Sequence, residues 1–379
     1  MTNNKMKIPL AKPEIHDADI AAVRAVLQEP EGRLAMGPRL EAFEQDLATA
    51  VDRTFAMAVN SGTSALHLVI RALGISSGDE VITTPFSFIA SANCVLFERA
   101  TPVFVDIEPR TLCIDPERID AAITPRTKAI LAVDVFGHPA DWPALERIAD
   151  RHGLALIDDS AEALGSELKG RRCGSFGRAG VFGFYPNKQI TTGEGGAVVT
   201  DDPRLAELCR SMADQGRGGE GWLHHVRLGY NYRLDELSAA LGLSQLRRLD
   251  EIVEGRGRVA ERYSDALAGL DGIVLPSVTE GVRMSWFVYV VRLAAEFSQT
   301  DRDTILERLS DRGIGCRNYF APIHLQPFYR ELLGTAEGDF PVTEAVGARS
   351  IALPFYNELS EDQIDYVAVA LREEVERLG

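Results

Sequence analysis

Lysine is scarce in this chain. Only six occur in 379 residues, Lys5, Lys7, Lys12, Lys128, Lys169 and Lys188, and the other basic residues are arginine. Chemistry that needs a primary amine therefore has few places to reside. Cysteine is scarcer still. Cys94, Cys113, Cys173, Cys209 and Cys316 are far apart, odd in number and form no CxxC pair. That pattern excludes a disulfide framework and a zinc knuckle, and it suits a reducing compartment. No apolar run reaches the roughly eighteen residues of a membrane span. The opening MTNNKMKIPLAKPE lacks the apolar stretch of a signal peptide, so the cytoplasm is the expected location. Positive charge is also in deficit. Forty Lys plus Arg stand against 56 Asp plus Glu, a net charge of −16. So acidic a chain argues against nucleic acid or an anionic membrane as partner, while leaving room for a local basic pocket around one phosphorylated ligand. His224-His225 has no carboxylate or cysteine at metal-ligand spacing, and no metal site is expected.

The remaining composition is that of an ordinary globular protein, 45% apolar and 25% charged. The length suggests two domains, or one large α/β body with an appendage. From about residue 55 to 200, short apolar runs alternate with helix-period runs. FAMAVN (55–60), EVITT (80–84), PVFVDI (102–107), KAILAVDVF (128–136), LALID (154–158), VFGFY (181–185) and GAVVT (196–200) read as strands. Residues 64–73, 88–98 and 141–152 read as helices, the first closed by Gly74. Unbroken apolar strands alternating with helices predict an α/β fold, a mostly parallel sheet flanked by helices. After residue 234 the pattern changes. Helices are expected over 234–253, 254–268 and 300–313, and strand character over 283–293. A capping box at Ser360-Glu361-Asp362-Gln363 opens a last helix. We expect a large domain over 1–250, including an arm and a helix at 18–28, and a smaller C-terminal α+β domain over 251–379.

Three segments carry chemistry. In VFGFYPNKQITTGEGGAVVT (181–200), Lys188 leaves an apolar strand and a glycine cluster follows. A lysine at a buried strand end is desolvated, which frees its amine for nucleophilic attack as a Schiff-base lysine requires. Alone, the segment also reads as a surface lysine before a hairpin. In AMAVNSGTSAL (56–66) a strand runs through Gly62, Thr63 and Ser64 into a helix, whose unpaired N–H groups suit a phosphate; a capped helix without a ligand is the plain alternative. In LALIDDSAEALGS (154–166), Asp159 stands at the carboxyl end of an apolar strand, where open α/β sheets bind ligands. It can hold a protonated ring nitrogen, or simply cap a turn. Glu162 follows three residues on.

A phosphate cup, a strand-end acid and a lysine, in that order, mark a pyridoxal 5'-phosphate enzyme of the aspartate-aminotransferase fold. The chain resembles the DegT/StrS-type aminotransferases that act on nucleotide-linked keto-sugars. The motifs are NSGTSALHL, GDEVITTPFSFIASAN, TPVFVDI, IDDSAEALGS, FYPNKQITTGEGGAVV, LGYNYRLDELSAALGLSQL and PIHLQPFY. The resemblance implies fold type I. It makes Lys188 the covalent lysine, Asp159 the partner of the pyridine nitrogen, Phe88 the aromatic stacked on the ring, and Gly62, Thr63 and Ser64 the phosphate cup. Glu162 would lie against the cofactor. Asn231, in GYNYR, would reach the cofactor phosphate of a neighbouring subunit, implying a homodimer with shared active sites. Many relatives carry serine where Gly183 stands here, so one phosphate donor is missing. Relatives with histidine in place of the lysine perform dehydration, so Lys188 places the chain on the aminating side.

The implied function is transfer of an amino group from glutamate to a keto group of a nucleotide-linked sugar. Arg33, Arg217, Arg227, Arg233 and Arg317 lie in loop-like stretches and suit phosphate or carboxylate, and His324 in PIHLQP is a candidate substrate contact. The alternatives are an aminotransferase acting on a keto-inositol and a non-catalytic regulatory protein that keeps the cofactor site.

Overall fold

The computed structural model describes residues 7–219, 221 and 223–378. An arm leads into α1 (Asp17–Leu27) and α2 (Pro38–Ala50). There follow β1 (Phe55–Val59), α3 (Gly62–Ala72), β2 (Glu80–Thr83), α4 (Ala90–Phe97), β3 (Thr101–Phe104), a short α5 (Ile119–Ala122), β4 (Thr127–Val133), α6 (Trp142–His152) and β5 (Ala155–Asp159). A small hairpin, β6 (Glu167–Leu168) and β7 (Arg171–Arg172), precedes β8 (Ala179–Gly183), β9 (Gly196–Thr200) and α7 (Pro203–Ala213). Beyond a long loop come α8 (Glu236–Leu246), α9 (Leu249–Ala266), β10 (Ile273–Val274), β11 (Val282–Arg283) and β12 (Tyr289–Leu293). The chain closes with α10 (Gln299–Asp311), α11 (Pro327–Leu333), α12 (Pro341–Arg349), β13 (Ser350–Leu353) and α13 (Glu361–Leu378).

Seven strands form the central sheet in the order β1-β9-β8-β5-β4-β2-β3. The pairs β2–β3, β2–β4, β4–β5 and β5–β8 are parallel, and β9 alone runs against its neighbours β1 and β8. Helices cover both faces, which is why the inner strands read as continuous apolar runs. On one face Val69, Ile130, Ile157, Trp142 and Cys209 pack into the largest core. On the other, Phe43 and Leu47 of α2 and Leu243 of α8 close over Ala197 and Val199. Gly74 takes the left-handed conformation (φ 75°) after α3, as its position suggested.

The C-terminal core is built from α9, β12, β13, α10 and α13, and it includes Ile8 from the arm. Helix α9 joins the cores, giving Ile252 and Val253 to the α2–α8 side and Val259, Ala260 and Tyr263 to the C-terminal side. Two expected boundaries move. The helix break falls between Leu246 and Leu249 rather than at 253, because Arg248 is held there by Glu14 at 3.1 Å and Asp19 at 3.0 Å. The strand expected over 283–293 is divided, because Trp286 turns through a left-handed conformation at φ 54°. The capping box of α13 forms, with Ser360 N bonded to Gln363 Oε1 at 3.0 Å and Gln363 N to Ser360 Oγ at 3.3 Å.

Candidate active site

A cleft of about 660 Å³ opens at the carboxyl ends of β4, β5 and β8, where a parallel sheet turns its loops toward a ligand. Asp159, Glu162, Gly183 and Lys188 line it, with Ser61, Gly62 and Thr63 at the start of α3 and Phe88 at the rim. The sequence spacing thus brings Lys188, Asp159, Glu162, Phe88 and the phosphate-cup residues to one place. Ser64 is the exception in this group: its N–H is spent on the Ser61 hydroxyl at 3.0 Å, closing the helix cap. The N–H groups of Gly62 and Thr63 stay outside the helical ladder and face the cleft end of α3. Gly196 permits that turn, since a Cβ there would fall 2.5 Å from the Gly62 nitrogen.

Asp159 ends β5 and is 2% exposed. The Ser91 hydroxyl donates to its Oδ2 at 2.7 Å, and the Ala161 N–H to its Oδ1 at 3.2 Å. Burial pushes this carboxyl up, while Ser91, Ala161 and the Lys188 charge pull it back. Lys188 follows a turn closed by its own N–H on Tyr185 O at 2.9 Å. Its Nζ lies 3.5 Å from Glu162 Oε1 and 3.9 Å from the ring centre of Phe287. Burial lowers the lysine below its ordinary value, against the opposing pull of Glu162 and Asp159. Burial raises Glu162, whose other oxygen accepts from the Phe136 N–H at 2.9 Å. Burial thus drives both partners of this pair toward their neutral forms.

The donor set fits pyridoxal phosphate. The cleft offers an amine free to bond an aldehyde, a buried carboxylate for a ring nitrogen, an exposed aromatic face at Phe88 and a helix start with unpaired N–H groups. Asn187 Oδ1, on the cleft wall, is buried without a partner. At Gly183 a Cβ would meet nothing nearer than 3.7 Å. The serine absent there is therefore a missing donor and not a steric requirement.

Other expected contacts lie elsewhere in the single chain. Asn231 is exposed beside Asp214 and does not line the cleft. Arg217 and Arg233 share Asp214, at 3.4 and 2.6 Å, in a separate hollow. Arg227 faces Glu207 at 3.7 Å, and Arg33 is an exposed side chain near Glu31. Arg317 donates to the Cys316 carbonyl at 2.9 Å, just before the cleft residues Asn318, Tyr319 and Phe320. His324 is fully buried and bonded to Glu344 at 3.0 Å. The substrate role expected for it gives way to a structural one, because Glu344 and the packed ring of Phe340 occupy its surroundings.

Ser91, Phe287 and Tyr319 went unread in the sequence. Ser91 had a signal, a hydroxyl three residues beyond Phe88 at the start of α4. The other two come from distant loops and had none.

The DegT/DnrJ/EryC1/StrS aminotransferase family profile matches residues 13–372. GDP-perosamine synthase from Caulobacter vibrioides is 40% identical over 338 residues, spanning 89% of this chain and 90% of that protein. DesV of S. venezuelae, solved in complex with a ketimine intermediate, superposes with a TM-score of 0.88 at 39% identity over 95% of each chain. Helicobacter pylori PseC, an aminotransferase of pseudoaminic acid biosynthesis, superposes with a TM-score of 0.92 at 31% identity, over 98% of this chain and 99% of that one.

Proposed function

The chain belongs to the DegT/DnrJ/EryC1/StrS aminotransferase family, and from that premise we propose that it moves an amino group from glutamate to the keto group of a nucleotide-linked sugar. It is a pyridoxal-phosphate-dependent aminotransferase of fold type I. The observation that carries the proposal is the convergence of Lys188, Asp159 and the open start of α3 on one cleft. The nucleotide-sugar part leans on the likeness to GDP-perosamine synthase.

Lys188 would hold the cofactor covalently, Asp159 its ring nitrogen, Phe88 one ring face, and Gly62 and Thr63 its phosphate. When bound, pyridoxal phosphate supplies an electron-poor ring that takes up the charge left on a substrate carbon after deprotonation. Asp159 keeps that ring nitrogen protonated, and Ser91 fixes the carboxylate in register for the task. The Lys188 amine carries the proton to and from the reacting carbon. Such positioned transfer is typically worth about 10²–10⁴-fold. Glu162 shares the proton at Nζ between steps. Tyr185, Asn187 and Tyr319 close the side where a sugar would enter.

Asn231 stands outside its own cleft, and we assign it to the cleft of a second copy, so that the working unit is a homodimer. Arg217 and Arg233, on the same loop region, would then approach the partner's substrate phosphates or carboxylate. Among the described residues no helix is long and apolar enough to cross a membrane, and the five cysteines are buried free thiols. We place the enzyme in the cytoplasm on the reducing conditions those thiols suit.

The test follows the cofactor spectrum in two halves. Glutamate alone shifts the absorption of the loaded enzyme, and a nucleotide-linked keto-sugar restores it. Restoration by a keto-inositol and not by the sugar overturns the substrate assignment. No shift with glutamate overturns the aminotransferase step and leaves a binding protein.

A further inference from the structure

Arg256 is the charge near the cleft that the reading above leaves unused. It lies on α9, and only 6% of it is exposed. A guanidinium taken out of water without a carboxylate costs several kcal/mol, and such a group is kept only where something holds it. Among the described residues no carboxylate lies within ion-pair distance of it. Its Nε donates to the Trp286 carbonyl at 2.6 Å and its outer nitrogen to the Phe287 carbonyl at 2.8 Å. Its plane lies over Phe355 at 5.1 Å. Burial brings Arg256 down to about 10, so it remains a cation at neutral pH.

The two carbonyls are consecutive, and the backbone that presents them is bent. Trp286 sits at φ 54°, a region a tryptophan occupies only when its surroundings hold it there. The bend delivers the Phe287 ring to 3.9 Å from Lys188 Nζ. The Phe287 N–H donates to the Phe136 carbonyl at 3.1 Å, and the Phe136 N–H donates to Glu162 at 2.9 Å. One run of backbone bonds therefore starts at Arg256 and ends on both walls of Lys188. Arg256 and Lys188 also line one narrow crevice behind the lysine, together with Gln189 and Glu14. Glu14 is engaged elsewhere, by Arg248 at 3.1 Å, His16 at 2.8 Å and Asn357 at 2.6 Å.

We propose that Arg256 is a positioning residue for Lys188. Its fork fixes the carbonyls that set Phe287 against the amine, and its charge faces the same narrow crevice as the amine, opposite in sign to Glu162 and Asp159. The groups that face Lys188 are Glu162 and Asp159 from the β5 end, Arg256 from α9, Phe287 ahead of β12, and the Tyr319 hydroxyl beyond Glu162. That hydroxyl is pushed up by burial and stays protonated. The balance at the amine is then two carboxylates against burial and one arginine.

The inference rests on Lys188 being the covalent lysine, and the two are tested separately. Borohydride reduction of the wild-type enzyme loaded with pyridoxal phosphate, followed by peptide mass, must find the cofactor on Lys188; its absence there removes the assignment itself. Arg256 is tested on the apoenzyme by trace acetylation with acetic anhydride from about pH 6 to 11, with the exposed Lys128 as internal reference. Lys188 of the wild type is expected to titrate below the ordinary lysine value. Arg256→Gln should raise that midpoint, with a matching loss of Lys188 reactivity near neutrality. Arg256→Lys, which keeps the charge, should hold the midpoint within a few tenths of a unit. A wild-type midpoint at or above that of Lys128 overturns the proposal even if the Gln variant does not fold. So does an unmoved midpoint in a folded Gln variant, or a rise in the Lys variant as large as in Gln.

Discussion

Asp158 and Asp159 are neighbours on β5, both with 2% exposure or less, yet they face opposite sides of the sheet because strand side chains alternate. Asp159 meets the Ser91 hydroxyl, the Ala161 N–H and, across the cleft, the Lys188 charge. Asp158 meets the Gly174 N–H at 2.6 Å and the Ser160 hydroxyl at 2.5 Å, and the same hydroxyl touches Asp134 at 2.7 Å. One hydroxyl proton cannot serve both carboxylates at once, so the Ser160 hydroxyl satisfies only one of them at a time. Asp134 already accepts from the Ala140 N–H at 2.8 Å and from Trp142 Nε1 at 2.9 Å, which suits the anion. Asp158 likewise accepts from two backbone N–H groups, the second that of Phe176 at 3.3 Å, and the charge of Asp134 beside it opposes its ionisation. Burial raises both members, Asp134 to about 6 and Asp158 well beyond a normal carboxyl. Two identical side chains at one depth thus have different work. One is aimed into the cleft, and the other is packed against a second buried carboxyl inside the fold. The surroundings supplied by distant elements set the difference.

The comparison can be broken in several ways. Lys188→Ala removes the cleft's nucleophile and proton carrier together, and transamination should fall by at least about 10⁴-fold, read in a coupled glutamate assay. Asp159→Asn should lower kcat/KM on the order of 10²–10³-fold, while Asp158→Asn changes it by less than about threefold. Equal losses in the two variants would erase the distinction. Ser91→Ala removes a charged hydrogen bond worth about 1.5–3 kcal/mol, and cofactor titration should show affinity weakened by about tenfold or more.

The smallest effects are in stability. A carboxyl whose folded value lies above its unfolded one favours folding below the unfolded value, and that contribution is lost as pH rises through the folded value. Asp158 and Asp159 are both raised, so wild type carries a penalty that grows from about pH 4 upward. Each Asn variant escapes it at its own site. Thermal melts of the apoenzymes should show both variants gaining on wild type between about pH 5 and 8. Asp158→Asn falling further below wild type as pH rises would contradict the upward shift of Asp158.

Much of this was legible in the sequence. The strands run close to their apolar segments, and Lys188, Asp159, Glu162 and the α3 start were readable because local chemistry marks them. The same local reading stops short where a residue's role is set from far away. Ser91 reaches Asp159 from 68 positions earlier, and Trp286 bends because α9 grips its carbonyl. The helix break before Leu249 carries no glycine or proline; its cause is an arginine bound to the arm. His324 resembled a ligand contact in a promising motif, and only the fold reveals Glu344 beside it. The expected arginines do not line the cleft of one chain, a placement that no local pattern displays.

The arm has one more implication. Ile8 is bonded on both sides by Gly313 and Gly315, and Leu10 by Phe355, while Ile8 itself is 1% exposed. Its berth is thus made of residues that come much later in the chain. At ribosomal speeds of about 5–20 residues per second, the arm must wait roughly tens of seconds for its seat to emerge. Until then an isoleucine that ends up sealed away hangs in solvent, and the nascent protein cannot be finished in the order in which it is read.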